Sequence, residues 1–291
     1  MYISYSGFKS YSSCPRLYWH TYVNETKPPE PDNTVNSLYG SVVGVLMEDF
    51  YMEKLWKNQD IQSTLEKRIL PIYKKTVSNE LRRGRILKWQ TPEDKRPNYV
   101  SEEELLADVR DTVARAIRII RFYRLVGPLM EAESKLDSDV KGHRLGGRAD
   151  FIIHRTSPHH DKVILDGKGS KHRGLYVDPR QLRWYAMLHR MKRGTLPDKL
   201  GFVYWRFDPP ESIDWVEFSE VDIDDLYEEV LGAISEIERG VTRKSGEPVE
   251  RTRRAFPTRA DDKNCRFCSF LTMCPEGSEM MSKKKTPKVY R

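Results

Sequence analysis

Gly147-Arg-Ala-Asp150-Phe-Ile-Ile-His154, a polar interval, and then Val163-Ile-Leu-Asp166-Gly167-Lys168 form the stretch on which the fold turns. Two short runs rich in β-branched and aromatic residues, separated by turn-forming residues, predict neighbouring strands. Asp150 opens the first strand and Asp166 closes the second, so pairing would bring both carboxylates together with Lys168. The two-residue period of a strand places Asp166 and Lys168 on one face. Hard oxygen ligands of this kind suit Mg²⁺ or Mn²⁺. Phosphodiester cleavage uses such a set, with metal to activate water and neutralise the phosphate and a lysine to orient the nucleophile. Gly167 would let its carbonyl approach a metal closely, or would serve as a bulge glycine. Taken alone, Asp-x-Lys is a common tripeptide and reads first as a surface ion pair at a strand end; it gains weight only in company.

Outward from that stretch, Phe202 to Phe207 and Ile213 to Phe218 read as further strands, with a helix from Pro179 to Met191 between. Asp222 is expected to cap a helix that runs to Arg239. On the N-terminal side, Ser101-x-x-Glu104 is a capping box opening a helix to about Leu125. Leu38 to Trp56 also reads as a helix, preceded by the Pro-rich break Lys27-Pro-Pro-Glu-Pro31. Residues 57–100 are polar, include Arg82-Arg83-Gly84-Arg85, and suggest a helical insertion or lid. Ser4 to Tyr22 reads as helical, with Phe8, Tyr11, Tyr18, Trp19 and Tyr22 assigned to the core. The sum is a mixed sheet framed by helices, in the α/β to α+β range.

The cysteines add a long-range constraint. Cys14 stands alone near one end, and Cys265-x-x-Cys268-x(5)-Cys274 stands near the other. Four thiolates suit zinc or an iron–sulfur cluster, and the spacing does not choose between them. Buried structural cysteines or a disulfide are the alternatives, although short Cys-x-x-Cys spacings usually mean metal. A site joining both ends would close residues 1–279 into one domain, leaving 280–291, with Lys283 to Lys285, as a basic flexible tail.

Charged residues make up 32% of the 291-residue chain and the net charge is +7, which tilts the expectation toward a polyanionic partner. Four cysteines are too few for a disulfide scaffold, and the N-terminus lacks the pattern of a signal peptide, so a reducing cytoplasm is expected. No run of apolar residues is long enough to span a membrane. Lys171-His172-Arg173, Arg180, Arg183 and Arg251 to Arg254 would hold phosphates if they cluster, and Trp184 or Tyr185 would stack on an unpaired base. The seven histidines fit no motif and are expected mostly at the surface.

In order, Gly147-x-x-Asp150, Asp166-x-Lys168, Gln181-x-x-x-Tyr185 and the one-plus-three cysteines resemble the iron–sulfur branch of the PD-(D/E)XK nucleases, which includes the RecB-like nuclease domain of AddB and the exonucleases of CRISPR adaptation. The resemblance spans Tyr5 to Pro275. It implies a restriction-endonuclease-like sheet and a [4Fe–4S] cluster on Cys14, Cys265, Cys268 and Cys274. It implies Mg²⁺ or Mn²⁺ at Asp150 and Asp166 with Lys168 beside the nucleophilic water, and Gln181 and Tyr185 on the substrate side. The implied activity is a deoxyribonuclease, an exonuclease on single strands or DNA ends by attack of activated water, in DNA repair or CRISPR adaptation. With no Gly-x(4)-Gly-Lys-[Ser/Thr] in the chain, unwinding would need a separate helicase or recombination partner.

One position departs from the pattern. The family's first core helix reads Gly-x-x-x-His, whereas this chain reads Gly40-Ser-Val-Val-Gly44. Glu48, one turn on, either takes part in metal binding in place of the missing His or is a solvated acid. The competing reading is therefore an accessory protein that binds DNA on a nuclease fold without cutting it.

Overall fold

The computed structural model describes residues 1–26, 33–84, 87–91, 99–127, 129–174, 177–242 and 246–285. The Pro-rich break, Arg85 and the last six residues of the expected tail lie outside these. The chain divides into two compact units, one of residues 32–140 and 146–223, the other of 1–31, 141–145 and 224–291.

The first of these is built around one sheet. Helix α1 (Val35–Met52) enters first, with Leu38, Val42, Leu46 and Phe50 almost fully buried. Helix α2 (Ile61–Arg82) buries Leu65 and Ile69 in the same core, so part of the polar region 57–100 is a structural layer. Helix α3 (Glu102–Tyr123) starts where the capping box predicts: Ser101 Oγ accepts from Glu104 N at 3.3 Å. The Glu104 carboxylate reaches back to the Val100 amide at 2.8 Å, one residue earlier than the standard box.

Strands β1 (Met130–Lys135), β2 (Arg148–His154) and β3 (Lys162–Lys168) form an antiparallel run. Helix α4 (Pro179–Arg193) then crosses over so that β4 (Lys199–Tyr204) joins β3 in parallel, and β5 (Ile213–Val216) closes the far edge antiparallel to β4. The order is β5-β4-β3-β2-β1. A parallel neighbour requires such a crossover, and Val163, Ile164 and Leu165 at its centre are fully buried, as a strand covered on both faces demands.

β1 is not expected from the sequence. Its residues, Met-Glu-Ala-Glu-Ser-Lys, have low β propensity, and only an edge position with one open side tolerates them. The helix expected to be capped by Asp222 begins earlier, as Glu220–Thr242: Ser219 is the cap, its hydroxyl accepting from Asp222 N at 3.2 Å, and Asp222 returns a bond to Ser219 N at 2.7 Å.

The second unit is assembled from both ends of the chain. The helical stretch expected over Ser4 to Tyr22 is broken, with helices at Tyr5–Ser13 and Pro15–Tyr18 and a π-type turn at Trp19–Val23. Pro15 starts the second helix, where its missing N–H costs nothing. Phe8, Tyr11, Tyr18 and Trp19 are buried, whereas Tyr22 is exposed. Phe256 stacks on Tyr18 and takes Tyr11 edge-on, with centroids 6.2 and 6.4 Å away. Arg16 Nε donates to the Phe256 carbonyl at 2.9 Å, and Asn264 Nδ2 to the Ser13 carbonyl at 3.0 Å. Residues 280–285 of the expected tail continue the helix Pro275–Lys285.

Candidate active site

The pairing Phe151↔Leu165 leaves Asp150 opposite Asp166 one residue further along. On the other side of β2, the pairs Ala132↔Phe151 and Ser134↔Ala149 flank Glu133, which falls opposite Asp150. Three acidic residues therefore stand in one row across β1, β2 and β3. Glu133 has a φ of +50°, a left-handed conformation that a side-chain-bearing residue rarely adopts, placed where strain often marks function.

Each carboxylate of the row has a defined partner. Asp150 Oδ2 accepts from the Gly167 amide at 2.8 Å. Asp166 Oδ1 accepts from Gln181 Nε2 at 3.1 Å, and its other oxygen is ion-paired with Lys168 Nζ. The Gln181 amide nitrogen also donates to the Tyr185 hydroxyl at 3.1 Å. Asp178 caps α4 and Pro179 starts it, which aims the first turn of the helix at β3. Asp166, Lys168, Gln181 and Tyr185 thus form one connected group.

Burial, and then the charge of Asp166, push the Asp150 carboxyl up to about 7. Burial also pushes Asp166 up, against the opposing pull of Lys168. Glu48 is raised by burial and by its neighbours Glu133 and Asp49, and burial drives the Tyr185 phenol far above its ordinary range. The group thus favours protons, or another positive charge, close to its carboxylates.

Glycines shape the walls. A Cβ on Gly167 would lie 2.9 Å from Trp205 Nε1, and one on Gly147 would lie 3.0 Å from the Tyr185 ring, so both positions need bare backbone. Gly44 is different: nothing lies within 4 Å of a Cβ there. It lines a cavity of about 370 Å³ together with Glu48, Glu133, Asp150 and Gly167. Gly40 of the same helix lies 3.3 Å from the position of a Gly169 Cβ. Arg206 fixes that loop by donating to the Gly169 carbonyl at 2.8 Å, pairing with Asp108 at 2.6 Å and stacking on Tyr39 at 3.5 Å.

Among the described residues, no three His, Cys, Asp or Glu side chains are arranged to hold a metal ion. The donor chemistry nevertheless fits a hard divalent cation at the cavity of Glu48, Glu133 and Asp150, where burial and the neighbouring carboxylates raise Glu48 and Asp150 although Glu133 is ion-paired with Arg148 at 3.2 Å. Asp166 differs from the expected pair, since both of its oxygens are engaged by Gln181 and Lys168. Glu133 is the site residue that sequence reasoning missed. Its only signal was alternation in Glu131-Ala-Glu133, hidden by the polarity of the edge strand.

The four cysteines are not placed as a closed metal-holding set, yet they line one cavity of about 40 Å³ in the other unit. Burial pushes the Cys265, Cys268 and Cys274 thiols up. Cys14 Sγ accepts from Arg259 N at 3.4 Å. His20 lines the same cavity, stacked on Phe270, with both ring nitrogens buried and without a hydrogen-bond partner among the described residues. Four convergent thiols beside an orphaned imidazole fit a soft metal group.

Several surface expectations are corrected. His20, His143 and His189 are buried, although His159, His160 and His172 are exposed and His154 half-buried, so most of the seven do lie outside the core. Trp184 is fully buried, with Nε1 donating to the Gly146 carbonyl at 3.2 Å, and Tyr185 is 7% exposed, so neither offers a face to a base. Arg173 is ion-paired with Asp214, and Arg183 lies 3.5 Å from Asp222. Among the described residues, no helix is long and apolar enough to cross a membrane.

No curated protein matches the sequence. A protein of Eubacterium rectale described as "Putative exonuclease" aligns with a TM-score of 0.43 and 13% identity over 91% of this chain and 88% of that one. A protein named SSO0001 aligns with a TM-score of 0.29 and 17% identity over 89% and 94% of the two chains. The sequence model of the PD-(D/E)XK nuclease superfamily matches residues 2–275, nearly the whole chain, and the protein belongs to that superfamily.

Proposed function

We propose that the protein is a divalent-metal-dependent deoxyribonuclease acting on single strands or DNA ends as an exonuclease. The observation that carries this is the connected group Asp166, Lys168, Gln181 and Tyr185 beside a carboxylate-lined cavity to which Asp150, held by the Gly167 amide, belongs. Asp150, with Glu48 and Glu133 and the Gly167 carbonyl, would hold Mg²⁺ or Mn²⁺. Such a cation, when bound, lowers the pKa of water and offsets the charge on the scissile phosphate. Lys168, steered by Asp166, stands at the strand end, where it would orient the attacking water or contact a phosphate oxygen. Gln181 fixes Asp166 so that this lysine has one preferred position, and Tyr185 buttresses Gln181. Cys14, Cys265, Cys268 and Cys274 would hold a [4Fe–4S] cluster as a structural element, as in the RecB and CRISPR-adaptation branch, with a helicase or recombination protein as partner.

The open space beside Gly44 favours a second reading, a DNA-binding protein whose metal site lacks a ligand. Digestion of end-labelled single- and double-stranded DNA with Mg²⁺ or Mn²⁺ decides between them. Metal-dependent products that disappear in Lys168→Ala support the nuclease; no product from the wild type, with products gained by Gly44→His, supports the binding protein.

A further inference from the structure

A cavity of about 730 Å³ lies where the end of α1, the turn after it, edge strand β1 and the last turn of α4 meet. Lys54, Lys57, Lys135, Lys192 and Arg193 line it, against a single carboxylate, Glu131. Glu131 is already neutralised: Arg193 holds both of its oxygens at 2.5 Å, which keeps its carboxyl down at about 2. Lys192 donates to the Lys135 carbonyl, a neutral acceptor, and so keeps its charge uncompensated. The exposed ammonium groups of Lys54, Lys57 and Lys135 have no acceptor among the described residues.

The wall of the cavity supplies a second, independent observation. Tyr51 is 2% exposed and lines the cavity, yet its hydroxyl oxygen is buried without a hydrogen-bond partner among the described residues. An unmet hydroxyl of this kind costs stability unless something fills its place. Half-buried Trp56 lies beside it, ring centroids 6.1 Å apart. The cavity also shares its elements with the candidate active site. Glu48 precedes Tyr51 by about one turn of α1, and Glu133 lies between Ala132 and Ser134, which line the cavity.

We propose that this cavity binds the stretch of a single DNA strand next to the scissile phosphodiester, with Lys57 and Lys135 on phosphates, Tyr51 donating to a phosphate oxygen and Trp56 against a base. The assignment rests on the nuclease reading for its substrate. A nucleotide chain repeats an anionic oxygen cluster and a flat π face at every residue, the pairing that this lysine rim and aromatic wall present.

Binding of labelled oligo(dT), measured by fluorescence anisotropy without divalent metal over a salt series, tests it. Lys57→Ala combined with Lys135→Ala should weaken binding about tenfold and flatten the log–log salt slope by roughly 1.4, about 0.7 for each lost phosphate contact on a single strand. Tyr51→Phe should weaken binding several-fold while leaving the thermal midpoint equal or higher, since it removes an unmet polar group. Unchanged affinity and slope in both variants overturn the proposal. Cleavage abolished by Lys168→Ala together with unchanged slopes would retain the nuclease and discard this cavity. Weakened binding in a protein that never cleaves would retain the cavity and discard the nuclease.

Discussion

Gly44 exposes bare backbone to a carboxylate-lined cavity, and that vacancy has two consequences. Nothing obstructs a side chain there, so Gly44→His should fold at least as well as the wild type. Replacing this mid-helix glycine by His should add about 0.4 kcal/mol of stability, readable in urea titration. The new imidazole should also tighten Mn²⁺ binding measured by calorimetry. Gly167→Ala should fail where Gly44→His succeeds, because its methyl group would meet the Trp205 indole at 2.9 Å. Asp150 gives the site its pH dependence. Its carboxyl ionises at about 7 in the fold against an ordinary 3.8, because of burial and then Asp166. A raised carboxyl keeps a proton that the unfolded chain releases, so its contribution to metal-free stability is complete below about pH 4 and is lost as pH rises through about 7. The thermal midpoint of metal-free Asp150→Asn should therefore gain on the wild type between about pH 5 and pH 8. Divalent cation binding runs the other way, strengthening up to about pH 7 as the proton is displaced.

Arg206 joins the end of β4 to α3, α1 and the loop after β3, and its guanidinium is mostly buried. Arg206→Met would leave Asp108 without its partner and the Gly169 carbonyl without its donor, at a cost of about 3 kcal/mol. The exposed pair of Arg118 and Asp208 should contribute about 0.5 kcal/mol or less. Chemical denaturation of Arg206→Met and Arg118→Met compares the two directly. The elements that declared themselves in the sequence were those with strong periodicity or a cap: α3 behind Ser101, α4 behind Pro179, and β3 with its apolar run. The aspartates and Lys168 were visible for the same reason, since they sit at the ends of such runs. β1 was hidden because an edge strand with one open side needs little apolar alternation, and Glu133 was lost with it. The break at Cys14 was hidden differently. A run of aromatics kept helical spacing across it, and only tertiary packing chose two helices and a turn.

At the scale of the chain, one unit draws on residues 1–31 and 224–291, and its internal bonds tie the two segments together. Arg16 to Phe256, Arg259 to Ser12 and Asn264 to Ser13 are the ties. Deleting residues 1–24 should therefore unfold the partner segment, seen as loss of hydrogen-exchange protection across 224–285. Absorbance of anaerobically purified protein should show the brown colour of an iron–sulfur cluster, and Cys268→Ala should lose both colour and yield; a colourless protein carrying zinc would revise the metal. The same arrangement bears on synthesis at the ribosome. Phe8, Tyr11, Tyr18 and Trp19 emerge more than 230 residues ahead of Phe256, which Tyr11 and Tyr18 pack against. During that delay a cluster of aromatic side chains lacks one wall of its packing, which leaves the incomplete chain prone to association through that surface until Phe256 is made.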